Sequence, residues 1–278
     1  MSMLQLSELF KDLKQLPVLP ILLLELMESF GNDDVSVEDI AKKIGMDQSI
    51  SAKVIRMANS VIYRRGKEVE SISQAVIRLG FNQVRSIVVA VTLSNVFPEI
   101  PGFDKNKFWK DTFTTASIAK ALAKHAGINQ ETAFTCAMMH NIGELLLQIL
   151  KPDECSLIAL SIEAGEPRLS AQHATFGFDY SQVGVELAKH WDFSEIFCDA
   201  IEQQLDPLSY ETPSQAAILI RLSVFASFAW EAEVPPETIV ARFPASLTEH
   251  LKLNKDGLVD EFEGMIEAGD ELGRLMSS

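Results

Sequence analysis

Cys136 to Leu147 reads CAMMHNIGELLL, and how this stretch is taken decides the fold. With its flanks it sets Phe134, Met138, Ile142, Leu145 and Ile149 along one helical face, with Met139, Leu146 and Leu150 beside them. A segment apolar nearly all round predicts a buried central helix. His140 and Asn141 break that pattern by carrying polar groups into the interior, where they need partners to offset desolvation. The Asn141 amide is expected to bond a backbone carbonyl. Gly143 stands in the helix interior despite a penalty of about 1 kcal/mol relative to Ala, which the close approach of another helix would explain.

Helical periodicity continues in both directions and strand alternation is nearly absent, so the fold class is all-α. Upstream, LPVLPILLLELMESFG reads as a helix that enters at Pro20 and stops at Gly31, following the preference for Pro at a first turn and Gly past a last one. SVEDIAKKIGMDQSISAKVIRMANS follows, with Ser36 as N-cap, two apolar stripes and a bend at Gly45, in the outline of a helix-turn-helix. SISQAVIRLGFNQVRSIVVAVTLSNVF gives two helices broken near Gly80, and PEIPGFD is the clearest boundary in the chain. The organisation expected is an N-terminal helical bundle over 1–100, a second helical subdomain over 101–211, and a C-terminal helical extension over 212–278 packed on the second. His125 lies beside Gly127, and His190 precedes Trp191; both read as histidines at helix C-termini, where a partly charged imidazole favours the dipole.

Composition excludes several functions. The 278 residues are 47% hydrophobic and 23% charged, as in an ordinary globular protein. Thirty-nine acids against 24 Lys and Arg leave a formal charge of −15, which repels nucleic-acid backbones and anionic lipid over most of the surface. The acids concentrate late, with 14 against five basic residues between Ile201 and Ser278. A DNA-binding regulator using residues 36–65 would rest on six basic and three acidic residues; a helical hairpin within a larger bundle is the expectation there. The first residues lack the basic-then-apolar order of a signal peptide, and VLPILLLELM is too short to span a bilayer and contains Glu25, so the expected setting is cytoplasmic, with no membrane contact. Cys136, Cys155 and Cys198 are odd in number and set in apolar contexts, which predicts buried thiols. The chain holds no Gly-rich phosphate loop and no nucleophile elbow.

LPVLP, then DQSISAKVIRMANS with Asn59-Ser60 closing the helix and Tyr63 just after, then SISQAVIRLG, and later FGFDYSQVGVELAKHWDFSEIFCDAI, occur in an order that resembles the bacterial HDOD (HD-related output) domain, from about Leu16 to about Leu205. That family is a degenerate relative of the HD-type metal-dependent phosphohydrolases. In the hydrolases, His and Asp side chains from separate helices converge on one or two metal ions, which polarise a phosphoryl oxygen and generate hydroxide from bound water. Laid on that pattern, the first-histidine position falls on Asp111 and the His-Asp doublet on His140-Asn141. The position after the Gly turn falls on Tyr180, and the late one near Gln203-Gln204. Only His140 is retained. Asn keeps the shape of Asp and one carbonyl oxygen but loses the charge that neutralises a divalent cation. Asp111 and His173 are the remaining nearby ligands.

The resemblance implies a non-catalytic module of bacterial signal transduction with a degenerate metal site. Such a module would bind signalling proteins or a small molecule, a nucleotide among the candidates, in a pocket around Asp111, His140, His173, Tyr180 and Gln203. No cofactor is expected, and a homo-oligomer is compatible with the reading. The alternative is a metal-dependent phosphohydrolase with substituted ligands, holding Fe, Mn or Zn.

Overall fold

The computed structural model describes residues 6–11, 16–30, 37–60 and 66–276. Among them every regular element is helical. The N-terminal part comprises α1 (Leu6–Leu9), α2 (Ile21–Glu28), α3 (Val37–Met46), α4 (Gln48–Ala58), α5 (Ile72–Leu79) and α6 (Phe81–Val96). The middle comprises α7 (Lys105–Ala126), α8 (Gln130–Met139), α9 (Ile142–Leu150), α10 (Pro152–Glu163), α11 (Arg168–Phe176), α12 (Tyr180–His190) and α13 (Glu195–Gln203). After a short 3-10 turn at Pro207–Ser209 come α14 (Gln215–Glu231), α15 (Pro236–Ala241), α16 (Ala245–His250) and α17 (Leu258–Met276).

Short polar residues start these helices by the expected chemistry. Asp47 accepts from the Ile50 amide at 3.0 Å and Asp104 from the Lys107 amide at 2.9 Å, while Asn129 accepts from both Glu131 and Thr132. Asp179 forms a reciprocal capping box with Gln182, satisfying two otherwise unpaired amides. Gly127 ends α7 in the left-handed region at φ 68°. Two details differ from the sequence reading. α3 runs through Gly45 to Met46, because Asp47 caps the next helix and so fixes the turn two residues later. α2 ends at Glu28. Gly31, Ser36, Tyr63, Arg64 and Arg65 lie outside the described residues.

The hinge at 97–104 turns the chain without dividing its core. One hydrophobic cluster joins Leu23, Val54 and Val88 from the N-terminal helices to Phe113, Leu145 and Ile201 from the middle ones. A hydrogen bond and an aromatic contact pin these parts together, and a buried cation braces the N-terminal side. The Trp191 indole N–H donates to the Pro17 carbonyl at 3.0 Å, so the LPVLP segment is held by the end of α12. Phe30 meets Phe197 edge-on at 5.4 Å. The buried Arg85 guanidinium lies 3.7 Å from the centre of the Phe30 ring and donates to the Ser29 carbonyl at 2.7 Å, a cation placed at the C-terminal end of α2, where the helix dipole favours it. A second cluster joins α7 and α8 to the C-terminal helices. α17 lies along α7 through two glycines one turn apart: a Cβ on Gly269 would sit 2.4 Å from the Thr114 backbone, and one on Gly273 3.1 Å from Lys110. Lys110–Asp270 and Lys124–Glu261 ion pairs flank that seam. His125 also reaches Glu261, at 3.3 Å. All three cysteines are buried and free. The stretch 130–150, long and apolar enough to cross a membrane, is mostly buried inside the fold.

The close approach read from Gly143 is that of α12. A Cβ on Gly143 would meet the Tyr180 carbonyl oxygen at 2.0 Å and the Gly184 nitrogen at 2.5 Å. Gly143→Ala must therefore separate two backbones, and is expected to lower the Tm by roughly 5–10 °C, an overpacking loss of about 3 kcal/mol. Gly264 on α17 has nothing within 4 Å of its Cβ direction, so Gly264→Ala is expected to leave Tm unchanged or raise it slightly. Thermal unfolding of the two variants side by side separates packing from helix propensity.

Candidate functional site

The continuous helix expected around His140 is two helices. α8 ends at Met139, His140 and Asn141 form a break, and α9 begins at Ile142. Side chains supply what the helical ladder loses there. His140 Nδ1 lies 2.6 Å from the Ala137 carbonyl oxygen, so this nitrogen carries the proton and donates, leaving Nε2 as the ring's acceptor. The His140 carbonyl, released from the ladder, accepts from Gln204 Nε2 at 2.6 Å. The Asn141 amide does not bond a backbone carbonyl: Nδ2 donates to Thr112 Oγ1 at 2.9 Å, and the Thr112 hydroxyl donates onward to the Phe108 carbonyl at 2.8 Å. Asn serves here because it has an N–H to give, which a carboxylate lacks. The break is thus bolted to α7 on one side and α13 on the other.

The break opens onto a cavity of about 410 Å³, within the size range of small-molecule sites. α7 contributes Lys107, Phe108, Asp111 and Thr115, and α9 contributes Glu144 beyond His140 and Asn141. Arg168 and Leu169 come from α11, Tyr180 from α12, and Leu205 from the turn after α13. α14 supplies a whole wall: Arg221, Val224, Ser227, Phe228 and Glu231, which share one face at helical spacing.

Asp111, His140, Asn141 and Tyr180 are therefore brought together, whereas His173 and Gln203 are not. His173 is half exposed and its Nε2 meets Asp179 Oδ2 at 3.1 Å. It lines a separate polar cavity with Glu186 and Lys189, because the Asp179 cap draws α11 and α12 together at that end. Gln203 Oε1 accepts from the Ser214 amide at 2.7 Å and so holds the start of α14. Its neighbour Gln204 takes the inward place, bonding His140 and accepting from the Tyr180 hydroxyl at 3.4 Å.

The electrostatics follow from burial and pairing. Lys107 lies 2.9 Å from Asp111 and 3.3 Å from Glu231, an ammonium shared between two carboxylates. The bond to Asp111 is the main reason the Lys107 proton is held more tightly than usual. Burial raises the Asp111 carboxyl above its ordinary range, with Lys107 opposing and Glu231 adding. Glu144 accepts from Gln172 at 2.8 Å and has Arg168 at 3.9 Å. Burial pushes the Tyr180 hydroxyl up to about 12 and the His140 imidazole down to about 4.

A divalent metal does not fit this donor set. The aligned Asp is an amide engaged with Thr112, Asp111 already holds an ammonium, and His173 points to another cavity. Among the described residues no group of three His, Cys, Asp or Glu is arranged to hold a metal ion. Sequence reasoning missed Lys107, Arg168, Arg221 and Phe228. The available signal was Arg221, a lone cation early in the apolar run AAILIRLSVFASF.

The HDOD domain family model matches residues 16–207, and the chain belongs to that family. It is similar to a protein of Shewanella amazonensis SB2B provisionally named a phosphohydrolase, with 30% identity, a TM-score of 0.85 and coverage of 97% of this chain and 98% of that one. An HDOD domain protein of unknown function from Geobacter sulfurreducens shares the fold at 21% identity and a TM-score of 0.83, covering 96% of this chain and 97% of that one. An uncharacterised protein of Treponema pallidum (strain Nichols) is 23% identical over 258 residues, covering 89% of this chain and 50% of the relative. The chain spans about half the length of the curated relatives it matches.

The depressed His140 value fixes a pH dependence. In the unfolded chain the imidazole titrates near 6.5 and in the folded one near 4, so between these values the native state binds fewer protons. Stability from this group is full above pH 6.5 and is lost as pH falls toward 4. The His140 ring resonances are expected to remain those of the Nδ1–H neutral tautomer at pH 5.5. Urea unfolding between pH 7 and 4.5 should show a steeper loss of stability in the native chain than in His140→Gln.

Proposed function

We propose that this chain is a non-catalytic regulatory module of bacterial signal transduction that binds a small molecule in the cavity beside His140 and presents the result to a partner protein. The observation that carries the reading is the Asn141–Thr112 bond together with Lys107 beside Asp111. The cavity persists while its metal-binding chemistry is replaced by an internal amide and an internal ammonium. A buried His140, neutral at physiological pH, with its Nδ1–H committed to Ala137, contributes an acceptor and shape. Cytoplasmic placement belongs to the same reading. The −15 charge and the pairing of Lys43 with Glu25 at 2.5 Å on α3 count against a DNA-binding role for residues 36–65.

The likeness to a relative with a phosphohydrolase name keeps a metal-dependent hydrolase as the reading to be tested against. The native chain and His140→Ala are offered Mn²⁺, Fe²⁺ and Zn²⁺, then analysed for bound metal and for hydrolysis of a chromogenic phosphate ester. The expected outcome is substoichiometric metal, equal in both proteins, and no turnover. One or two ions per chain, lost in His140→Ala together with ester hydrolysis, is the hydrolase signature and would overturn the proposal.

A further inference from the structure

The cavity's charges are not equally available to a ligand. Asp104 is used as the α7 cap, Asp111 and Glu231 share Lys107, and Glu144 accepts from Gln172 and Gln148. Two cations remain. Arg168 has only the 3.9 Å approach to Glu144, and Arg221 makes no ion pair or side-chain hydrogen bond with the described residues. Both guanidinium groups line the cavity, Arg168 from α11 and Arg221 from the first half of α14, and both favour the ionised form of the Tyr180 hydroxyl. Arg221 and Glu231 lie ten residues apart on α14, about 15 Å along the helix, which sets the arginine end well away from the end where Lys107 bridges two carboxylates. Much of the remaining lining is apolar: Phe103, Phe108, Leu169, Leu205, Val224 and Phe228. Phe228 is 63% exposed, an aromatic side chain left at the rim with a free face.

Resting on the small-molecule reading above, we propose that the cavity's ligand class is a small organic anion: a carboxylate or phosphate group seated between Arg168 and Arg221, on a flat apolar body lying against Phe108 and Phe228. Guanidinium groups match the planar or tetrahedral oxygens of such anions with paired N–H donors. The −15 charge of the chain disfavours extended polyanions, so selection falls on ligands that fit within about 410 Å³.

Ligand-observed NMR at millimolar concentration tests this with four probes: phenyl phosphate, benzoate, benzyl alcohol and inorganic phosphate. The proposal expects phenyl phosphate or benzoate to bind the native chain, the stronger of the two identifying the anion, with benzyl alcohol and inorganic phosphate each weaker by roughly tenfold or more. Arg221→Ala and Arg168→Ala, both exposed positions whose unfolding temperature should not move, are expected to weaken the organic anion by a similar factor, and Arg221→Lys to restore part of it. If benzyl alcohol binds as well as the anions, is weakened by Phe228→Ala and ignores Arg221→Ala, the anion assignment falls while the ligand-pocket reading stands. Inorganic phosphate binding as tightly as phenyl phosphate would remove the apolar half of the assignment. No binding of any probe to the native chain overturns both.

Discussion

The contact of two backbones at Gly143 and Gly184 is the constraint on which the rest of the site depends. Residues with a side chain at Gly143 would drive α12 away from α9, since the Tyr180 carbonyl and the Gly184 nitrogen already occupy the space. With both glycines in place, the first turn of α12 presses on the first turn of α9. That delivers Tyr180 to the break at His140-Asn141 and puts the Tyr180 amide within 3.1 Å of Gln172 Oε1 on α11. The neighbouring Gln172 Nε2 then reaches Glu144. Three helices are thus indexed to one another by a contact that contains no functional group, and the cavity's floor follows from it.

On that scaffold, the polar groups that remain solve a desolvation problem that a bound cation would solve in a metal centre. Carboxylates drawn partly out of water favour a nearby positive charge, and buried amides and carbonyls require partners. Lys107 meets the first requirement for Asp111 and Glu231, and the chain of Gln204 to His140 and Asn141 to Thr112 to Phe108 meets the second. Each of these groups is satisfied from within the chain. Asn141 is thereby an active member of the α7–α9 interface, bonded through Thr112.

The sequence made the helical class legible because its punctuation is local. Gly80, the 97–104 hinge and Gly127 each act through the nearest turn of chain, and each occurs where its chemistry directs. Asn59 is legible as motif and intelligible only in three dimensions: its side-chain amide pairs with both the N–H and the C=O of Val69 at 2.7 Å, closing the α4–α5 connection as a strand neighbour would. The helix break at His140 was hidden because Cys136 to Leu147 is apolar enough to read straight through. The reason for the break lies in Gln204 and Thr112, 64 and 28 residues away. His173 failed to join the cavity for a similar reason: spacing cannot reveal that Asp179 holds it from another helix.

The cavity also sets the relation between the family domain and the C-terminal helices. The matched region ends at 207, yet α14 forms one wall of the cavity, and α17 lies along α7, which also lines it. The floor, built by α9, α11 and α12, lies within the matched region, and the wall bearing Arg221 and Phe228 lies beyond it. Packing ties the two together strongly, since Gly269 meets the α7 backbone and Gln203 holds the first turn of α14. A ligand that bridges floor and wall therefore adds contacts across that seam, and by linkage it stabilises the arrangement in which α14 lies against α7.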